Sequence, residues 1–124
     1  MTEKWKEKLS SEEYLICRQK HTEPPFSGEY DKFFKEGTYN CKCCESKLFQ
    51  SSDKYDSGSG WPSFKKPILD TAIQYTEDKS LNMTRIEIKC SKCGSHLGHV
   101  FDDGPAPLYK RYCINSLSLC FIGE

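Results

Sequence analysis

No apolar run in the chain approaches the length needed to cross a bilayer, which excludes a membrane-spanning helix. Nor is there an excess of charge of either sign: 18 basic residues balance 18 acidic ones, so nothing supports binding to a phosphate backbone or steering toward an anionic membrane. Nucleic acid and membrane are therefore not expected as partners. Met1 to Lys8 carries Glu3, Lys4, Lys6, Glu7 and Lys8 where a signal peptide would have its apolar core, and the expectation is a soluble, cytoplasmic protein. Internal repeats, low-complexity tracts and linkers are also missing. The 124 residues are expected to form one domain over 1–124, with 1–10 a flexible or helical N-terminal extension.

Cysteine, in contrast, is plentiful, with eight residues. Four of them form two matched knuckles, Cys41-Lys-Cys-Cys44 and Cys90-Ser-Lys-Cys93. A CxxC turn presents two thiolates to one tetrahedral ion, and two such turns complete a four-thiolate shell, the usual environment of structural zinc. Iron also accepts such a shell. The long interval between Cys44 and Cys90 means that the ion would tie distant parts of one domain together. Cys43 offers Cys41 a second partner, but only Cys41 with Cys44 reproduces the spacing of Cys90 with Cys93. The alternative is that these thiols form disulfides or a redox-active pair; a reducing cytosol keeps thiols free unless they cycle during turnover. Cys17, Cys113 and Cys120 lie away from the knuckles and are free for chemistry.

Ser10-Ser-Glu-Glu13 has the form of a capping box ahead of Tyr14, Leu15 and Ile16, which predicts a short helix to about Lys20, ended by Thr22-Glu-Pro-Pro-Phe26. After Gly37, short β-branched and aromatic segments alternate with turn signals such as Asp56-Ser-Gly-Ser-Gly60 and Asp102-Asp-Gly-Pro105, so the chain reads as mainly β. In the strand predicted over Met83–Lys89, Ile86 and Ile88 share one face while Arg85, Glu87 and Lys89 share the other. A second strand is predicted over Arg111–Phe121, with Arg111, Cys113, Asn115, Leu117, Leu119 and Phe121 on one face.

Cys113 is the candidate nucleophile: Arg111 two residues before it favours the thiolate, and Asn115 two after it can donate a hydrogen bond on the same face. A lone strand cysteine otherwise reads as a small buried apolar residue. His96 and His99 follow the second knuckle directly, so a bound ion would anchor the segment that carries them. A histidine pair at this spacing is more often structural, or a further metal ligand, than a proton donor, and a metal shell already filled by four thiolates argues against ligation. Trp61 stands in Gly58-Ser-Gly-Trp-Pro-Ser-Phe64, between flexible glycines and a stiff proline, where an indole suits a small apolar group. From composition alone, Trp61 and Phe64 read as core plugs.

Together these segments resemble the B-type methionine sulfoxide reductases, the peptide-methionine (R)-S-oxide reductases. The resemblance runs from about Tyr14 to Phe121 and is carried by Thr22-Glu-Pro-Pro-Phe26-Ser-Gly28, Gly37-Thr-Tyr-Asn-Cys41, Lys54-Tyr-Asp-Ser-Gly58, Gly60-Trp-Pro-Ser-Phe64, Arg85-Ile-Glu-Ile-Lys-Cys90, His96-Leu-Gly-His-Val-Phe101, Asp103-Gly-Pro105 and Arg111-Tyr-Cys-Ile-Asn-Ser116. It implies two antiparallel β-sheets with short N-terminal helices, stapled by one structural zinc on Cys41, Cys44, Cys90 and Cys93. It further implies that Cys113 attacks the sulfur of a peptide- or protein-bound methionine-R-sulfoxide, releasing methionine and leaving a sulfenic acid. His99, with His96 and Asn115 beside it, would supply or relay the proton to the sulfoxide oxygen. Trp61 and Phe101 would hold the substrate, and the implied setting is repair of oxidised proteins with thioredoxin as reductant. A monomer is expected, although no motif in the chain speaks to oligomeric state.

The chain departs from the common family pattern in two places. Many members carry, two residues before the Trp, a cysteine that resolves the sulfenic acid as a disulfide; here that residue is Ser59, which cannot do so. Some members carry the resolving cysteine in the N-terminal segment instead, and Cys17 lies in that region. The second departure is Cys120, where a basic residue is usual; it ranks second as resolving cysteine, Cys43 third, and direct reduction by an outside thiol is also open. Two rivals from other classes are a non-catalytic zinc-ribbon interaction module and a catalytically silent protein of the same fold.

Overall fold

The computed structural model describes residues 2–123; Met1 and Glu124, the ends of the expected domain, lie outside the described residues. Two helices open the chain, α1 (Thr2–Lys8) and α2 (Ser11–Gln19). The predicted capping box is formed: the Ser10 hydroxyl accepts the Glu13 N–H at 3.2 Å and the Ser10 N–H donates to the Glu13 carboxylate at 2.9 Å. Lys20 closes α2 in the left-handed region, with its N–H donating to the Leu15 carbonyl. Neither helix is long and apolar enough to cross a membrane.

Nine strands follow among the described residues: β1 (Gly37–Cys41), β2 (Lys47–Gln50), β3 (Lys54–Tyr55), β4 (Ser63–Phe64), β5 (Ile73–Asp78), β6 (Arg85–Cys90), β7 (His96–Phe101), β8 (Arg111–Ile114) and β9 (Leu119–Gly123). They form two antiparallel sheets, ordered β2-β1-β9 and β3-β4-β8-β7-β6-β5. The fold is thus mainly β with two antiparallel sheets and short N-terminal helices, as expected. Tyr39 of the small sheet meets Phe64 of the large one edge to face at 5.1 Å, and Phe49 stacks on Phe64 at 4.4 Å. All three rings are fully buried, each worth roughly 2–3 kcal/mol of apolar burial.

One predicted strand is corrected. Arg111–Phe121 is not continuous: β8 stops at Ile114, a 3-10 turn occupies Ser116–Ser118, and β9 continues in the other sheet. Asn115 and the serines supply the break. The Asn115 carbonyl takes the Ser118 N–H at 3.0 Å, and the Ser118 hydroxyl donates to the His96 carbonyl at 2.8 Å. Leu117, Leu119 and Phe121 therefore do not share the face of Cys113. Over Arg111–Ile114 the alternation holds, with Tyr112 and Ile114 buried in the core. The other strand begins at Arg85 rather than Met83, and its polar face is not a wet one: Glu87 is fully buried while Ile86, near the strand's start, is 37% exposed. Helix α2 packs over β7 on that face and the small sheet covers the opposite one.

The two knuckles are built alike. In the first, Cys41 N–H donates to Ser46 O and Glu45 N–H to Cys41 O; in the second, Cys90 N–H donates to Ser95 O and Gly94 N–H to Cys90 O. Glu45 and Gly94 both take positive φ, 67° and 77°, which curls each turn around its thiols. The Cys41, Cys44, Cys90 and Cys93 sulfurs all lie within 4.8 Å of one another, with Cys41–Cys93 at 3.6 Å and Cys44–Cys90 at 3.5 Å. Sulfurs at about 2.3 Å from a tetrahedral ion stand about 3.8 Å apart, so this set fits a single metal ion. Because β1 and β6 belong to different sheets, the ion would pin the sheets together. Replacing the fully buried Cys90 by Ala is expected to lower unfolding free energy by more than about 3 kcal/mol and to abolish one-per-chain metal binding. Denaturant unfolding with metal analysis checks this; unchanged stability and metal content would contradict the pinning role.

Candidate active site

Strand register places the chemistry in one row. Cys113 on β8 pairs with Ser63 on β4 and with His99 on β7, and His99 pairs in turn with Glu87 on β6. Directly opposed residues share a sheet face, so a thiol, an imidazole and a carboxylate stand side by side. Gly98 allows β7 to approach β8, since a Cβ there would lie 2.0 Å from the Cys113 carbonyl oxygen.

A cavity of about 230 Å³ opens over this row. Of the residues named from the sequence, Cys113, His99, Asn115, Arg111, Trp61 and Phe101 all line it, together with Thr22, Ser59, Arg85 and Gly98. Trp61 is held by its indole N–H, which donates to the Glu23 carbonyl at 3.0 Å. Gly60 precedes it at φ 98°, with Pro25 close enough that a Cβ would meet it at 2.7 Å, so the indole's loop needs glycine there. Arg111 forms a fork to Asp103 at 2.8 and 3.1 Å and stacks on the Phe101 ring at 4.5 Å. Asn115 gives its amide N–H to the Leu97 carbonyl at 3.0 Å and accepts the Glu23 N–H at 3.1 Å, so it braces the end of β8.

Burial pushes the Cys113 thiol up from its ordinary value, while Arg111 and a hydrogen bond from Ser59 pull it down. Arg111 therefore acts in the expected direction but does not prevail over desolvation. His99 Nε2 meets the Asp78 carboxylate at 2.8 Å, and this bond, with the Ser80 N–H, holds Asp78 well below the usual carboxylate range. An ionised carboxylate can only accept, so in this contact the proton sits on Nε2 and His99 is the donor to Asp78. His96 does not line the cavity. It is buried behind His99, ring centroids 5.6 Å apart, with Nδ1 on Glu87 at 2.7 Å, and Lys20 closes the group with an ion pair to Glu87 at 3.1 Å.

Cys17 is buried beside the turn that follows β8, its thiol 3.7 Å from the Leu117 carbonyl and 3.9 Å from the Ser118 hydroxyl. Its thiol neighbour is Cys43, on the edge of the metal site, and not Cys113. Arg18 reaches the same edge, 3.9 Å from Cys43 and 3.7 Å from Cys93. Cys120 lies on β9 in the other sheet, in a hollow shared with Lys42 and Asn40. Sequence reasoning missed Thr22, Glu23, Ser59, Asp78, Arg85 and Glu87 as parts of the site. Glu87 alone had a usable signal, its place in a strand ahead of the histidine segment; Asp78 and Glu23 reach the site only through the folding of distant segments.

Residues 9–123 match the SelR domain family. The chain is 55% identical to the peptide methionine sulfoxide reductase MsrB of Alteromonas mediterranea, over 97% of this chain and 84% of that protein. It is 57% identical to the protein of the same name from Acinetobacter baylyi, over 93% of this chain and 83% of that one. Among solved structures, the Yippee-like domain of Mis18 superposes with a TM-score of 0.58 at 15% identity, covering 73% of this chain and 98% of that domain, a likeness of fold alone.

The buried His96 gives the site a pH signature. Burial lowers its affinity for a proton and Glu87 only partly restores it. The unfolded chain takes up that proton near the ordinary histidine value of about 6.5, whereas the folded chain resists it. Stability from this residue is thus complete above that value and is lost as pH falls toward the lower folded value. Denaturant unfolding should show stability declining from about pH 7 to about pH 5.5, with a flatter decline in His96→Gln; equal slopes would contradict the assignment.

Proposed function

The chain belongs to the SelR-domain family, and from that premise we propose that it is a peptide-methionine (R)-S-oxide reductase acting on methionine-R-sulfoxide in peptides and proteins. The observation that carries the reading is the single cavity in which the Cys113 thiol, the Asp78-buttressed His99 and the Trp61 indole converge. The sulfoxide methyl group packs on Trp61 and Phe101. His99 protonates the sulfoxide oxygen, which makes the sulfur electrophilic, and Cys113 attacks it as thiolate. The oxygen passes to Cys113, so one thiol and one sulfoxide become one sulfenic acid and one thioether. Arg111 stabilises the thiolate, Asn115 fixes its strand, and His96 with Glu87 supports the His99 segment.

Regeneration requires a second thiol, and Ser59 cannot supply one. We assign that role to Cys17, whose thiol would displace water from the sulfenic acid to form a Cys17–Cys113 disulfide, which thioredoxin then reduces. Cys17 packs against Leu117, four residues past Cys113, so the step requires α2 to shift against the turn at Ser116–Ser118. Cys120, on the other sheet, is the second choice. Zinc is the ion assigned to Cys41, Cys44, Cys90 and Cys93, as a structural tie supplying no chemistry to the reaction. The cellular setting is cytoplasmic repair of oxidatively damaged proteins by a monomer.

With dithiothreitol as reductant, dabsylated methionine-R-sulfoxide should be reduced, the S epimer should not, and Cys113→Ser should lose at least about 10³-fold in rate. Equal turnover of both epimers, or full activity in the variant, would refute the assignment and favour a zinc-bearing protein without this catalysis. Cys17→Ser should reduce one equivalent and then stall with thioredoxin while dithiothreitol sustains it. Undiminished thioredoxin-driven turnover would remove Cys17 from the cycle.

A further inference from the structure

Arg18 stands in the last turn of α2, with its side chain against the four-thiol corner. Its Nη1 lies 3.7 Å from the Cys93 sulfur and 3.9 Å from that of Cys43, and its Nη2 donates to the Cys93 carbonyl at 3.1 Å. The Trp5 ring lies 5.1 Å from the guanidinium carbon, so the fork is held between an indole and a knuckle. Among the described residues no carboxylate pairs with Arg18. The lysines beside it are otherwise engaged: Lys8 pairs with Glu45 at 3.0 Å, Lys42 with Glu13 at 3.2 Å and Lys20 with Glu87 at 3.1 Å, while Lys92 is exposed to solvent. Arg18 thus keeps a permanent, half-buried charge whose polar partners are two sulfurs and a carbonyl.

Neutral thiols give such a cation little to balance it. A divalent ion held by four thiolates does, because the shell is left with a net negative charge at a corner where Cys41 and Cys90 are fully buried. Buried charge requires a partner of the opposite sign. We infer that Arg18 is the counter-charge of the metal-thiolate shell, a positioning residue that donates to the Cys93 sulfur and balances part of the shell's negative charge. A donor to a ligand thiolate orients it and favours its charged, metal-binding form. The second arm of the fork, on the carbonyl of the same cysteine, fixes the direction of the first. Because Arg18 follows Cys17 directly, the contact also ties the segment bearing that thiol to the corner.

The inference rests on the four cysteines being a metal site. Its test is chelator competition on the zinc-loaded chain, together with the absorption spectrum of the cobalt-loaded form. Arg18→Gln should raise the zinc dissociation constant about tenfold or more, the usual effect of losing an outer-shell partner. Its sulfur-to-cobalt charge-transfer band should move to lower energy, because a thiolate without its donor gives up electron density more readily. Arg18→Lys keeps the charge and loses the fork, so its affinity should fall between those of the unsubstituted chain and Arg18→Gln. It also carries the test if Arg18→Gln does not fold. Both effects should persist in Cys43→Ala, where Cys93 is the sulfur left facing Arg18. Unchanged affinity and band in Arg18→Gln overturn the inference. So does weaker binding with an unmoved band, which marks Arg18 as an anchor of α2 only, and so does Arg18→Lys binding no tighter than Arg18→Gln. Effects that vanish in Cys43→Ala overturn it by assigning Arg18 to Cys43. An unsubstituted chain that takes up neither ion would instead overturn the metal reading itself.

Discussion

The four-thiol junction is the constraint on which the rest of the molecule hangs. Each knuckle is a hairpin end, one in the small sheet and one in the large. A metal ion held by all four sulfurs turns two loop ends into one rigid corner. The consequence for the site is direct, because Cys90 ends β6 and His96 begins β7. A fixed corner sets the register in which Glu87 faces His99 and His99 faces Cys113. The aromatic layer of Tyr39, Phe64 and Phe49 joins the same two sheets by apolar burial, so a bound metal would be a second tie between them.

Around the site the fold buries polar groups that would be costly alone. Glu87 loses all contact with water, and His96 nearly all. Each is tolerable because it faces the other, with Lys20 on the far carboxylate oxygen. Asp78 and His99 repeat the arrangement closer to the cavity. These pairs hold imidazole rings in one orientation, which a proton donor needs and a flexible surface histidine lacks. Cys113 shows the opposing side of burial: desolvation suppresses the thiolate, and Arg111 and Ser59 work against it. The balance keeps the thiol protonated more than its neighbours alone would, and the proposed reaction would depend on the groups that tip it back.

Much of this was legible in the residues. The capping box announced α2, the matched knuckles announced the metal corner, and Trp61, His99, Arg111 and Cys113 stood in segments that resemble a known family. Other features were not legible, for physical reasons. The alternating pattern over Arg111–Phe121 fits one strand, yet Asn115, Ser116 and Ser118 satisfy backbone groups locally and let the chain change sheets. Glu87 reads as a solvated charge on an amphipathic strand, because period-two alternation cannot tell a wet face from one covered by α2. Asp78 and Glu23 depend on tertiary placement.

The central claim is that Cys113, among eight cysteines, receives the oxygen. The most direct measurement treats Cys17→Ser protein with one equivalent of methionine-R-sulfoxide, adds dimedone, and maps the adduct by mass spectrometry while counting methionine released. The account predicts a single adduct on Cys113 in step with methionine. An adduct on another cysteine, or methionine released with Cys113 still a free thiol, would contradict it.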